Sequence, residues 1–193
     1  MTNKLSALTD EELISEFQTT NNVEAYELLV KRYKDPLMNF VFRFVGDKDV
    51  SSDIVQDTMI RFYLNKDSYK SFAKFSTWIY TIASNLAKNE LKRRKRKNLF
   101  SLSSGEDEQQ IDIKDRAATP DVMADSGIKN QIIQNALTKV KPVYREVVIL
   151  RDIQDLSYEE IAEITGLSIG TVKSRINRGR TQLQKLLKNI YYE

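Results

Sequence analysis

The chain has 193 residues, 41% apolar and 30% charged, enough for one moderate domain or two small ones. It contains neither cysteine nor histidine, which excludes disulfides, thiolate and imidazole metal sites, and Ser-His or Cys-His nucleophilic systems. The net charge of +3 is unevenly spread: residues 1–97 carry 17 basic and 13 acidic side chains, residues 98–126 carry 2 and 7, and residues 127–193 carry 11 and 7. Two basic regions separated by an acidic one suggest two modules and a linker.

Only 3 Pro and 6 Gly are present, and strand-like alternation is scarce. The expected fold is all-α: two small helical domains, 1–97 and 127–193, joined by a flexible linker over 98–126. No apolar run approaches ~18 residues, so no membrane span is expected. Met1–Thr20 lacks a basic stretch followed by an apolar core, so neither is a secretory signal. The absence of Cys fits a cytoplasmic location.

In chain order, Thr9 and Glu12 have capping-box spacing and open a helix to about Gln18. From Val23 to Val45 an apolar stripe runs through Tyr26, Leu29, Val30, Tyr33, Leu37, Phe40, Val41 and Phe44, with Pro36 at a kink or junction. Gly46-Asp47 ends it, and Ser51 or Ser52 starts the next helix. There Ile54, Val55, Met59, Phe62 and Tyr63 face inward and Asp53, Gln56, Asp57 and Arg61 face outward. Asp53 and Asp57, four apart, could hold a divalent metal for a nuclease-type reaction. A solvated or protein-contact face is the plainer reading, since no third acid or general base accompanies them.

Tyr69–Ser76 reads as a loop entering a helix capped by Ser76 or Thr77. That helix buries Ile79, Ile82, Ala83 and Leu86 and turns Thr81, Ser84, Asn85, Lys88 and Lys92 outward. From Lys70 to Lys97 there are nine basic residues and one acid, Glu90. Such a cluster beside aromatic residues suits nucleic acid: cations neutralise phosphates, and exposed rings stack on unpaired bases. Core packing is the alternative for Phe72, Phe75 and Trp78, and is favoured for Trp78. For Leu91–Lys97, a helix end fraying into solvent is the alternative.

The linker contains Gly105 and Pro120 and lacks a long apolar period. The second module opens with a helix near Ile128–Val140, and Pro142 starts another. Leu156–Leu187 then splits into two helical runs around Gly166-Leu167-Ser168. The second run steps its apolar residues Val172, Ile176, Gly179, Leu183 and Leu186 by three and four, with Ser168 as its cap. Two helices joined by a three-residue turn with Gly form a helix-turn-helix and complete a four-helix bundle. On the second helix Gly170, Ser174, Asn177 and Arg178 point outward. From Thr171 to Lys188 there are six Lys or Arg and no acid. Short side chains at the centre and cations at the flanks suit a DNA major groove. A solvated basic face is the bland alternative.

Together these residues resemble the bacterial RNA polymerase sigma factors of the extracytoplasmic-function group, sigma-70 relatives with only the second and fourth sigma domains. Asp53–Asn65 resembles the core-polymerase-binding helix of domain 2. Phe75–Arg96 resembles the promoter-melting and −10 region, and Ala136–Leu187 resembles domain 4. The resemblance implies no cofactor, no metal and no catalysis. It implies a polymerase-docking face at Asp53, Gln56, Asp57 and Arg61. It implies a base-capturing loop with Tyr69, Lys70, Phe72, Lys74 and Phe75, and a −10 face at Asn85, Lys88, Asn89 and Lys92. Capture of an unpaired base would offset a few kcal/mol of unstacking, so melting needs no ATP. The −35 duplex would be read by Thr171, Lys173, Ser174, Asn177 and Arg178, with Arg175 and Arg180 holding phosphates or neighbouring helices. The implied partners are RNA polymerase core, promoter DNA and an anti-sigma factor, commonly membrane-bound. Two other classes remain to be weighed. A free-standing regulator would use only the helix-turn-helix, commonly as a dimer on a palindrome, and a metal-dependent nucleic-acid enzyme would use the scattered acids.

Overall fold

The computed structural model describes residues 5–103 and 124–191, and its regular elements there are all helical. Helix α1 (Asp10–Thr20) starts at the expected capping box: the Glu12 amide donates to Thr9 Oγ1 at 3.2 Å, and the Thr9 amide to Glu12 Oε2 at 2.7 Å. It buries Leu13, Ile14 and Phe17. Helix α2 (Val23–Val45) is a single helix through Pro36. Buried Leu29 on one side of Pro36, and Leu37, Phe40 and Val41 on the other, hold it together, so no junction forms. Gly46 ends it at φ 81°, in the left-handed region that glycine enters without a Cβ clash.

Helix α3 (Lys48–Leu64) begins earlier than Ser51 or Ser52. Asp47 is its cap, its carboxylate accepting from the Val50 amide at 3.1 Å, while Ser51 is buried inside the helix. A short 3-10 turn (Lys66–Ser68) follows, then helix α4 (Phe75–Ser103). Neither Ser76 nor Thr77 caps α4; both lie within it. The Phe75 amide instead donates to Glu11 Oε1 of α1 at 3.0 Å, so a carboxylate from another helix meets the positive end of α4. The basic run Lys92–Lys97 is regular helix rather than a frayed end. Trp78 packs edge-on to Phe62 and beside Tyr69 and Phe75, but it is only partly buried, at the rim of the core rather than inside it.

The second domain comprises α5 (Ala124–Lys139), α6 (Pro142–Asp152), α7 (Tyr158–Thr165) and α8 (Ile169–Tyr191). Pro142 occupies the first turn of α6, where its missing amide costs nothing. Val147, Ile149, Leu150, Ile161, Ile164, Val172 and Ile176 form the core. Helices α6 and α8 approach so closely that a Cβ on Gly179 would sit 2.5 Å from Val148 Cγ2. Helical structure enters both ends of the expected linker, since α4 runs to Ser103 and α5 starts at Ala124; residues 104–123 lie outside the described residues. The two domains touch: α2 packs on α5 and α6, and α4 packs on α7.

Candidate nucleic-acid interface

Helix α7 is fixed by a second capping box, with Glu160 and Ser157 exchanging bonds at 2.7 and 3.2 Å. Gly166 closes it at φ 69°. The Leu167 amide reaches back to the Ala162 carbonyl at 3.1 Å, so the turn is rigid. Ser168 then caps α8, its Oγ accepting from the Thr171 amide at 3.3 Å. With Val172, Ile176 and Gly179 buried, α8 turns Gly170, Lys173, Ser174, Asn177 and Arg178 to solvent. Thr171 and Arg175 are half-buried at the edges. Lys173 Nζ lies 5.5 Å from the centroid of the Tyr158 ring. Arg180 is held by Asp152 of α6, with Nε to Oδ2 at 2.9 Å, so it braces a neighbouring helix. Arg178 makes no side-chain hydrogen bond or ion pair among the described residues, which leaves its five donors available.

The loop before α4 divides its rings. Tyr69 is 3% exposed, its hydroxyl donates to the Ala73 carbonyl at 2.6 Å, and its ring packs against Phe75 and Trp78. Phe75 is fully buried against Tyr33 and Phe62. Both were expected to offer a face to a base; in this fold they form the floor beneath the loop. Phe72, 91% exposed, is the ring the loop presents. Lys70 and Lys74 are both exposed, and Lys74 also pairs with Glu160 of α7 at 2.9 Å.

On α4, Asn85, Asn89 and Lys92 are exposed, while Lys88 is half-buried and 3.3 Å from Glu146 of α6. Asn85 and Asn89 border a cleft of about 270 Å³ between α4 and the end of α3, also lined by Arg61, Asn65, Ser68 and Trp78. Amide groups there can donate to and accept from a base edge, and Trp78 supplies an apolar wall.

On α3, Asp53, Gln56 and Arg61 are exposed, and Asp57 pairs with Arg61 at 3.2 Å. That pairing makes Asp57 a poor companion to Asp53 for a metal. Among the described residues no group of three or more acids is arranged to hold one. Arg61 borders the cleft as well as the α3 face, so it stands between the two surfaces. The same helix exposes Ile60 (48%) and Leu64 (71%), which the sequence reading left out. Their signal was present: Gln56, Ile60 and Leu64 recur at steps of four, one stripe beside the buried row. Tyr63, expected inside, is 47% exposed, with its ring tilted against Phe17 and near-perpendicular to Tyr26.

Residues 29–97 match the family described as Sigma-70 region 2, and residues 130–183 match Sigma-70, region 4. The ECF RNA polymerase sigma factor SigW of Bacillus subtilis is 35% identical over 172 residues, covering 86% of this chain and 91% of that protein. The chain belongs to the extracytoplasmic-function group of sigma-70 factors. The ECF RNA polymerase sigma-E factor of Haemophilus influenzae is 31% identical, covering 94% of this sigma factor and 96% of that one. Among solved structures, the sigma factor RpoE in complex with the anti-sigma factor NepR from Bartonella quintana is 29% identical. It covers 84% of this chain and 96% of its own, with a TM-score of 0.65. CnrH in complex with the cytosolic domain of CnrY shares the fold, with a TM-score of 0.70 at 23% identity over 93% of this chain. The region 2 match runs from Leu29 in α2 through α3 to Lys97 in α4, and the region 4 match from Asn130 in α5 to Leu183 in α8. Among the described residues no helix is long and apolar enough to cross a membrane.

Proposed function

We propose that this sigma factor is the promoter-specificity subunit of a bacterial RNA polymerase, with region 2 and region 4 dividing the work as follows. The outer stripe of α3 docks on core polymerase: Asp53, Gln56, Asp57 and Arg61 supply polar contacts, and exposed Ile60 and Leu64 supply the apolar contact a stable interface needs. Phe72 stacks on a base extruded from the −10 element, and the cleft at Asn85 and Asn89 reads a base edge. Lys70, Lys88 and Lys92 neutralise the strand's phosphates. Tyr69 and Phe75 act from below, holding the loop that carries Phe72. Helix α8 enters the −35 major groove. Lys173, Ser174, Asn177 and Arg178 face the base edges, while Thr171 and Arg175 at its borders meet phosphate or backbone.

No step of this scheme makes or breaks a covalent bond, so the protein acts by binding and not by catalysis. Melting is driven by the free energy of capturing unpaired bases. The protein works where polymerase and chromosome are, in the cytoplasm. RpoE and CnrH were each solved with a partner that binds them, RpoE's being an anti-sigma factor; that supports an anti-sigma partner here, anchored at a membrane in the family's common arrangement.

The observation that carries this reading is the pairing of two nucleic-acid faces in one chain: an acid-free recognition helix in region 4, and a cleft beside an exposed aromatic loop in region 2. The test is footprinting of a promoter fragment with the protein, with core polymerase, and with both. Protection of −35 and −10 segments only when both are present is expected. Tight, dimeric protection of a palindrome by the protein alone would contradict it.

A further inference from the structure

Helix α1 lies outside the region 2 match, which begins at Leu29, yet both ends of the loop that presents Phe72 are fastened to it. Glu11 and Gln18 are seven residues apart, two helical turns and about 10 Å along one face of α1. Gln18 Nε2 donates to the Lys66 carbonyl at 2.7 Å and to the Tyr69 carbonyl at 3.2 Å, where the loop begins. Glu11 Oε1 accepts from the Phe75 amide at 3.0 Å, where the loop ends. Lys66 answers Gln18: its Nζ donates to the Phe17 and Gln18 carbonyls at 3.2 and 3.3 Å. It also lies 4.9 Å from the centroid of the Phe17 ring. A cation there meets the negative end of α1.

Helix α1 can serve as a frame because it is itself held. Leu13, Ile14 and Phe17 are buried, and Asp10 accepts from Arg32 Nη1 of α2 at 2.6 Å and from the Tyr33 hydroxyl. Arg32 Nη2 also donates to the Leu8 carbonyl at 2.9 Å. Between the two anchors the loop is short and closed on itself. The Ala73 amide donates to the Lys70 carbonyl at 3.1 Å, and the Tyr69 hydroxyl to the Ala73 carbonyl at 2.6 Å. Phe72, 91% exposed, has almost no packing of its own to fix its place, so the anchors below it set where the ring stands. A ring that must meet an extruded base loses apparent affinity by the fraction of time it spends elsewhere.

We propose that Glu11 and Gln18 are positioning residues for base capture: α1 holds the two ends of the Tyr69–Phe75 loop so that Phe72 is already placed when the −10 base leaves the stack. Both act through Phe72 and not through DNA. The proposal rests on Phe72 capturing that base, and the experiment separates the two claims.

The test is a double-mutant cycle in the full chain with core polymerase, on a promoter recovered from a randomised library by the native chain. Opening is read as permanganate reactivity of unpaired thymines for the native chain, Gln18→Ala, Phe72→Ala and the double variant, below the thermal midpoint of each. If the unanchored loop is ready for capture about a tenth of the time, Gln18→Ala lowers opening about tenfold. That loss cannot exceed the about 5- to 150-fold loss from removing the stack itself. In the Phe72→Ala background, Gln18→Ala is expected to change opening by less than about twofold, the usual error of additivity.

No loss from Gln18→Ala with Phe72 present overturns the positioning role, and so does an equal loss in both backgrounds, which is what a purely structural role gives. If Phe72→Ala itself leaves opening unchanged, base capture fails and the positioning role fails with it. If Gln18→Ala does not fold, Glu11→Ala and Glu11→Gln take its place. Glu11→Gln keeps an acceptor oxygen for the Phe75 amide, so it is expected to retain opening that Glu11→Ala loses; equal loss by the two overturns the proposal.

Discussion

Phe72 and Tyr69 are three residues apart in one loop and have opposite tasks. Phe72 is almost wholly exposed, so Phe72→Ala is expected to leave the melting temperature in place. It should weaken promoter opening, read as permanganate reactivity of unpaired thymines, by the ~1–3 kcal/mol of a lost base–ring stack. Tyr69 is buried with its hydroxyl bonded to Ala73, so Tyr69→Ala should instead cost about 3–5 kcal/mol of stability by analogy with other large aromatic truncations. The reverse pattern would show that the loop refolds on DNA. At the other end of the molecule, Arg178→Ala is expected to cost about 1–3 kcal/mol, and only on promoters that carry the matching −35 element. Equal loss on templates lacking it would remove Arg178 from base reading. The roles of such residues were unevenly legible. Arg178 could be placed outward because Val172 and Ile176 set the phase of α8. Tyr69 and Phe75 could not be placed, because an aromatic beside lysines looks the same in sequence whether its ring points up or down. That choice is made by the aromatic cluster of Tyr33, Phe62 and Trp78, which gathers rings from α2, α3 and α4.

At the scale of elements, helix α8 depends on how closely it can lie on α6. Gly179 provides that approach, since a Cβ there would meet Val148 Cγ2 and stand 3.1 Å from the Tyr144 backbone oxygen. Gly179→Ala forces one helix to shift and is expected to destabilise the protein by about 1–3 kcal/mol in thermal unfolding. An unchanged midpoint would mean that α8 is free to slide. Helix existence and type were legible from hydrophobic period throughout. Helix starts were legible where one cap candidate stood alone, as at Thr9 and Ser168. They were misplaced where candidates competed: Asp47 displaced Ser51 and Ser52, whose burial or position follows from how α3 packs. The start of α4 had no local signal at all, because its capping carboxylate, Glu11, lies 64 residues upstream.

At the scale of the whole molecule, the two-module plan was legible from the uneven charge and the polar stretch between the two basic regions, but the contact between modules was not. Arg145 and Glu146 are neighbouring charges on a short helix, and the sequence around them carries no sign that they are buried. Their burial exists only because α2 and α4 cover them. The same contact explains why Lys74 and Lys88, counted in the sequence as cations for DNA, are paired with acids of region 4 in this structure.

The central claim is that one chain confers promoter specificity on polymerase through these two regions. It is tested most directly by transcription from a randomised promoter library with purified core polymerase, with and without the protein, reading start sites by sequencing. Start sites are expected that appear only with the protein, share both a −35 and a −10 sequence, and weaken when α8 carries Arg178→Ala. Start sites unchanged by the protein, with core polymerase competent on a control sigma factor, would contradict it.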